Sequence, residues 1–270
     1  MKEFIADKNR KLSKLALYHL EDLSFSSFMK ALRKKDVKVN GKRVSQDITL
    51  SVGDKVEIFY CSTFVEKYQI LYKDENVLVI NKYSGHTAES VYEQIKKDYD
   101  TAGFIHRLDR NTSGIMIFSL NPTAESELLK GFKERNFDKK YTTTVVGKMP
   151  KKEDVLTAYL VKDKDSSLVK IYDKKVQGSV LIKTGYKVIE ENKDTSKLEI
   201  TLYTGKTHQI RAHLAHIGNP ILGDGKYGDF EMNKKYNLTE QQLSATQLTL
   251  NFEQESMLNY LNGKIFVVKG

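Results

Sequence analysis

The chain has 270 residues, 40% of them hydrophobic, and 44 Lys and Arg against 35 Asp and Glu leave a net charge of +9 at pH 7. That composition excludes a disordered chain and a collagen-like one, and the length is room for one large domain or a medium domain with a small companion. No stretch approaches the ~18 apolar residues of a membrane span, and Met1-Lys2-Glu3-Phe4 opens no apolar run of the signal-peptide type, so a cytoplasmic location is expected, with no membrane partner. The single cysteine, Cys61, excludes a disulfide framework and a cysteine-based zinc site.

Residues 1–60 hold 13 Lys and Arg against 8 Asp and Glu, more than half of the net charge in less than a quarter of the chain. A polyanionic partner is the functional reading, because Lys and Arg displace counterions from phosphates. A Lys-rich solvated surface is the plain alternative. In chain order, Ser24 can cap a helix whose apolar residues Phe25, Phe28, Met29 and Leu32 recur at helical spacing. Arg33, Lys34 and Lys35 close that helix, where cations suit the dipole. Val37-Lys38-Val39 then alternates like a strand, Asn40-Gly41 supplies a tight turn, and Lys42-Arg43-Val44 returns. Gly53-Asp54 turns the chain into a further strand, Val56–Tyr60. The helix end and hairpin together offer Arg33, Lys34, Lys35, Lys38, Lys42 and Arg43 as a phosphate-binding face. Roughly residues 8–60 resemble the S4-type RNA-binding domain, whose pattern is a helix pair, V-x-V-N-G-K and G-D-x-V.

Residues 61–68 interrupt the pattern and read as a linker, which divides the chain into 1–60 and 69–270. Beyond it, Ile70–Tyr72 and Val77–Ile80 read as strands and Glu89–Tyr99 as a helix. Ile115–Leu120 leans to strand, and Pro122 starts a helix that runs to about Arg135. Strands are expected at Tyr141–Val146, Val155–Val161, Leu168–Tyr172, Gly178–Ile189 and Leu198–Tyr203. A helix at Thr207–Ile217 and strands near Leu248–Phe252 and Lys264–Val268 complete the chain. Many strands with few long helices predict an α+β domain with a large, mostly antiparallel sheet.

Rare residue types mark the chemistry. Three of the seven Arg (Arg107, Arg110, Arg211) and four of the six His (His106, His208, His213, His216) fall in Gly103–Gly114 and Gly205–His216. A chain that otherwise uses Lys has Arg here, whose planar fork holds carboxylates and phosphates bidentately. Asp109 stands in a loop of turn-forming residues, where a carboxylate can serve as nucleophile, base or metal ligand. Helical spacing puts His208 and Arg211 on one face and Ile210, Leu214 and Ile217 on another. His213 and His216 have metal-ligand spacing, but without a cysteine or an HExxH pattern nearby they read as packed or surface histidines.

His106-Arg107-Leu108-Asp109-Arg110-Asn111-Thr112-Ser113-Gly114 resembles the H-R-L-D-x-x-T-S-G signature of the RluA family of pseudouridine synthases. Gly205-Lys206-Thr207-His208-Gln209-Ile210-Arg211-Ala212-His213-Leu214, Gly218–Asp224 and Tyr227-Gly228 are similar to that family's later motif, and Lys139-Lys140-Tyr141 to a third. The resemblance spans roughly residues 68–252. Two departures are Tyr83, where the family has proline, and Lys206, where it has arginine. The resemblance implies a pseudouridine synthase fold and conversion of a uridine in structured RNA to pseudouridine. Large-subunit ribosomal RNA is the first expected substrate and transfer RNA the second. It implies no cofactor and no metal, Asp109 as the catalytic carboxylate, Arg211 as its partner and Tyr141 as the residue that stacks on the uracil and is a candidate base for the last proton removal. Arg107 is implied to hold the flipped-out state, with His106, Lys206 and His208 as further RNA contacts, in a monomer. A catalytically silent RNA-binding protein on the same scaffold, or a zinc hydrolase using His106, Asp109 and His208, are the readings set against it.

Overall fold

A computed structural model describes residues 1–20, 23, 25–60, 66–163 and 168–269. The expected cap Ser24, Cys61 and most of the expected linker lie outside them. The chain divides into two compact units, Met1–Glu66 and Lys67–Gly270.

The first unit runs β1 (Lys2–Ile5), β2 (Arg10–Lys11), α1 (Leu12–His19), α2 (Phe25–Arg33), β3 (Val37–Val39), β4 (Lys42–Val44), β5 (Thr49–Leu50) and β6 (Lys55–Ile58). Its four-stranded sheet has the order β1-β6-β3-β4. Leu12, Leu15, Phe28, Leu32, Val37, Val56 and Ile58 bury completely or nearly so and give this unit its own core. Asn40 and Gly41 both adopt positive φ (51° and 77°), the geometry that a two-residue turn needs to match strand twist. Lys38 stands directly opposite Arg43 across that hairpin.

The second unit starts with β7 (Tyr68–Lys73) and β8 (Val77–Lys82). The expected linker through residue 68 is therefore too long: Tyr68 pairs with Lys82, and Lys67 accepts a hydrogen bond from Tyr83 N–H. Next come α3 (Ala88–Asp98), β9 (Gly103–Phe104), β10 (Ser113–Ser119), α4 (Pro122–Glu134), β11 (Asp138–Val146), β12 (Glu153–Lys162), β13 (Val169–Tyr172), β14 (Val180–Glu191) and β15 (Thr195–Leu202). The chain ends with α5 (Gln209–His216), α6 (Phe230–Lys235), β16 (Leu243–Thr249) and β17 (Ile265–Val267). The strand expected near Leu248–Phe252 thus begins earlier. Ser244, Thr246 and Gln247 hide its start from an apolar-run reading, although Leu243, Ala245 and Leu248 supply the buried side.

These strands form an eleven-stranded sheet, ordered β13-β12-β14-β15-β11-β16-β10-β8-β7, with β17 on β16 and β9 on β10. All pairs are antiparallel except β10 with β16. The fold is α+β with a large mixed sheet. One row crosses its centre: Gly114 opposes Ala245, Ala245 opposes Tyr141, and Tyr141 opposes Ile200. Gly114 has φ of 115°, and a Cβ there would run into the backbone of Ala245. Only glycine lets the chain leaving the Asp109 loop enter the sheet at this point. The row therefore brings that loop and Tyr141 together, two strands apart.

Candidate active site

Asp109 sits on the loop between β9 and β10. The loop is braced from within: Thr112 N–H donates to the Asp109 carbonyl (3.1 Å), and the Thr112 hydroxyl accepts from Gln241 Nε2 (2.7 Å). Lys82, fully buried at the end of β8, donates from Nζ to the carbonyls of Tyr83, His86 and Arg110 at 3.1, 2.8 and 3.1 Å. Those three bonds tie the segment after β8 to the Asp109 loop. Burial pushes the Lys82 ammonium down to about 8, against the pull of the Asp109 charge.

Arg211 arrives from α5. Its Nη1 donates to Asp109 Oδ2 at 3.3 Å, while Nε and Nη2 grip both oxygens of Asp224 at 2.7 and 2.8 Å. Asp224 is completely buried, and the backbone N–H groups of Lys226 and Tyr227 also donate to its Oδ1. Burial works against both charges, but each partner outweighs it: the Arg211 pKa is raised and the Asp224 pKa lowered. The fork is thus spent on Asp224, and one remaining N–H faces Asp109.

The expected helix Thr207–Ile217 is shorter than its pattern. His208 is the residue before α5 and adopts the left-handed conformation (φ 54°), so it shares no helical face with Arg211. Buried Gln209 causes this. Its Oε1 accepts from the Thr204 hydroxyl and Lys206 N–H, and its Nε2 donates to Lys183 O and the Thr184 hydroxyl. With all four bonds made, Gln209 folds residues 204–208 over the start of the helix and swings His208 toward Asp109. His208 Nε2 lies 3.9 Å from Asp109 Oδ2.

A cavity of about 870 Å³ opens beside these groups, and Asp109, Tyr141, His106, Arg107, Lys206, His208 and Arg211 all line it. Tyr141 is 8% exposed, and burial followed by the Asp109 charge raises its pKa, so the phenol stays protonated. His106 stacks on Phe132 (4.5 Å), and its Nε2 accepts from Ile117 N–H (3.1 Å). Burial, then the charge of Lys139, pushes its pKa down to about 3, so it meets a ligand as a neutral ring. Arg107 is exposed and pairs with Glu89 of α3 at 3.2 Å. Lys206 is exposed on the rim. Arg33, Lys34, Lys35, Lys38, Lys42 and Arg43 belong to the first unit. There Arg33 and Arg43 donate to backbone carbonyls of Met29 and Lys35, and Lys38 lies over the Phe59 ring. His213 and His216 pair with Thr184 and Asp173, and among the described residues no group of three His, Cys, Asp or Glu could hold a metal.

Four residues that shape the site carried no role in the sequence reading: Lys82, Gln209, Asp224 and Tyr227. Three of them lay inside the later motif quoted above, and Lys82 beside Tyr83 in Asn81–Gly85. For Lys82 and Asp224 the signal was a charged residue beside an apolar or glycine-rich run; Gln209 and Tyr227 carried none beyond their place in the motif.

The profile of the family described as RNA pseudouridylate synthase matches residues 67–216. Among curated proteins, the dual-specificity RNA pseudouridine synthase RluA of Yersinia pestis is 33% identical over 196 residues, which cover 66% of this chain and 91% of that protein. The ribosomal large subunit pseudouridine synthase C of Vibrio parahaemolyticus is 28% identical over 258 residues, 86% of this chain and 79% of its own. Among solved structures, human RNA Pseudouridylate Synthase Domain Containing 1 superposes with a TM-score of 0.62 at 23% identity, covering 75% of this chain and 91% of the other, a likeness of fold.

Proposed function

We propose that this chain, which belongs to the RNA pseudouridylate synthase family and isomerises uridine in RNA to pseudouridine, works through Asp109 as its reacting carboxylate. The observation that carries the assignment is the clamp of Asp109 by Arg211, itself locked on buried Asp224, at the wall of the large cavity. In the reaction the N1–C1′ bond breaks, the uracil turns, and a C5–C1′ bond forms; C5 loses a proton and N1 gains one. Asp109 acts on the ribose or the base. A nucleotide closing over it would favour the protonated acid, and the adjacent guanidinium favours the anion. Tyr141 supplies a flat, protonated ring for the uracil, and to serve as the base for the last proton it must first lose its own. Arg107, exposed and free to exchange Glu89 for a phosphate, fits the role of holding the flipped-out nucleotide.

The substrate we infer is large-subunit ribosomal RNA, with transfer RNA second, after the names of the relatives. Residues 1–60 act as an S4-type RNA-binding domain. Lys38 stands between Arg43 and Glu57 across the sheet, so the support for a phosphate-binding face is the excess of 13 Lys and Arg over 8 Asp and Glu in these residues. The protein acts as a cytoplasmic monomer; no helix among the described residues is long and apolar enough to cross a membrane.

The test is Asp109→Asn assayed by tritium release from RNA labelled at uracil C5. Product formation is expected to vanish while RNA affinity stays within a few-fold, because many cations share the binding. Near-normal turnover would overturn the assignment. Mapping pseudouridines in cellular RNA with and without the protein identifies the target.

A further inference from the structure

Of the two ring nitrogens of His208, one has a partner within hydrogen-bond distance and the other does not. Its Nδ1 lies 3.0 Å from the Tyr227 hydroxyl, and that hydroxyl accepts the N–H of Val169 at 2.8 Å. The Tyr227 ring also faces the Arg211 guanidinium, 5.3 Å away. Nε2 remains, on the wall of the cavity and 3.9 Å from Asp109 Oδ2.

We propose that Tyr227 holds His208 as the neutral tautomer protonated on Nε2, and that this N–H donates a hydrogen bond to the uracil as its glycosidic bond breaks. Tyr227 is then a positioning residue acting through His208. The role toward the uracil rests on Asp109 being the reacting carboxylate; the tautomer does not.

Two independent arguments select the tautomer. A phenol has one proton to give and two lone pairs. If it donates to Nδ1 while accepting from Val169, all three groups are satisfied. With the proton on Nδ1 instead, the phenolic hydrogen has no acceptor among the described residues. That alternative also turns the Nε2 lone pair toward the Asp109 carboxylate, where the two repel. The ring is uncharged for a further reason. Burial foremost, with the Arg211 and Lys226 charges, outweighs Asp109 and Asp224 and lowers its pKa below the ordinary 6.5.

The remaining N–H is too far from Asp109 to be committed to it, since hydrogen bonds of this kind close at about 2.7–3.2 Å. It is therefore available to a ligand. When the N1–C1′ bond breaks, its electron pair stays on the uracil, and the negative charge spreads over N1 and the ring carbonyl oxygens. A fixed neutral donor stabilises that charge without protonating it, so the base remains free to turn and present C5.

Selective ¹⁵N-histidine labelling of the full chain tests the tautomer directly, with His208→Gln assigning the signal. At pH 7 His208 is expected to show a protonated Nε2 and an unprotonated Nδ1; an imidazolium or the opposite tautomer would overturn the proposal. Tyr227→Phe is expected to mix the tautomers, and an unchanged spectrum would remove Tyr227 from the role. In single-turnover assays His208→Leu should slow product formation about 100-fold, as loss of one such donor does, while His208→Gln, which keeps an N–H, recovers most of the rate. Equal rates for Leu and wild type would sink the substrate role. Activity surviving in Asp109→Asn would instead overturn the assignment of Asp109 and leave the tautomer measurement standing.

Discussion

Arg211 serves two carboxylates unequally, and the difference is measurable. Asp224 takes two short bonds in full burial, whereas Asp109 takes one of 3.3 Å at a partly open cavity wall. Removing one partner of a buried pair leaves an uncompensated charge and costs about 3–5 kcal/mol. Asp224→Asn is therefore expected to lose that much stability in urea melts and to lower kcat, because the freed guanidinium no longer presents its N–H to Asp109. Asp109→Asn should lose less than about 1 kcal/mol, as solvent and the retained Asp224 bonds support the arginine. Equal losses in the two variants would mean that something other than Asp224 anchors Arg211. Asp224, buried behind the cavity wall, thus sets the direction in which Arg211 meets Asp109.

At the scale of the element, α5 is held by polar contacts as much as by its apolar face. Ile210 and Leu214 enter the main core, while Gln209 and His213 bond to Thr184 of β14. His213 is 1% exposed, and burial foremost, then the charge of His216, lowers its pKa to about 4. In the unfolded chain it titrates near 6.5, so between those values the unfolded state binds the extra proton. Its contribution is whole above pH 6.5 and is lost as pH falls toward 4. His106, lowered to about 3, acts in the same direction over a window that reaches down to about pH 3. Urea melts at pH 7 and pH 5 are expected to show the wild type losing stability. His213→Gln should flatten that slope by up to about 1.4 kcal/mol per pH unit, and an unaltered slope would show that His213 already titrates normally in the folded state.

For the whole molecule, each unit has its own buried cluster: Leu12, Phe28 and Val56 in one, Ile80, Phe118 and Leu198 in the other. Residues 67–270 should therefore fold alone and retain the site, since every group that touches Asp109 belongs to that unit. Without residues 1–66 the protein loses 13 cations. It is expected to modify a short RNA at saturation yet bind long structured RNA more weakly, with a shallower fall of log affinity against log salt. Filter binding over a salt series decides this. Equal slopes for the two forms would leave the basic excess as a solvated surface and nothing more.

Much of this protein is local, and the local part was readable in the sequence. The helices at Ala88–Asp98 and Pro122–Glu134 and most strands of the large sheet lie within a few residues of their expected places, because periodicity and caps act over one or two turns. The concentration of Arg and His around Asp109 and Arg211 also marked the two segments that the fold unites, 102 positions apart. What tertiary structure alone decided is how those segments meet. Lys82 and Asp224 look like ordinary surface charges until the sheet closes over them, and His208 reads as helical until Gln209 finds its four partners. Burial and hydrogen-bond satisfaction are properties of the packed chain: a residue's neighbours in space set its charge state and direction, and its neighbours in sequence do not name them.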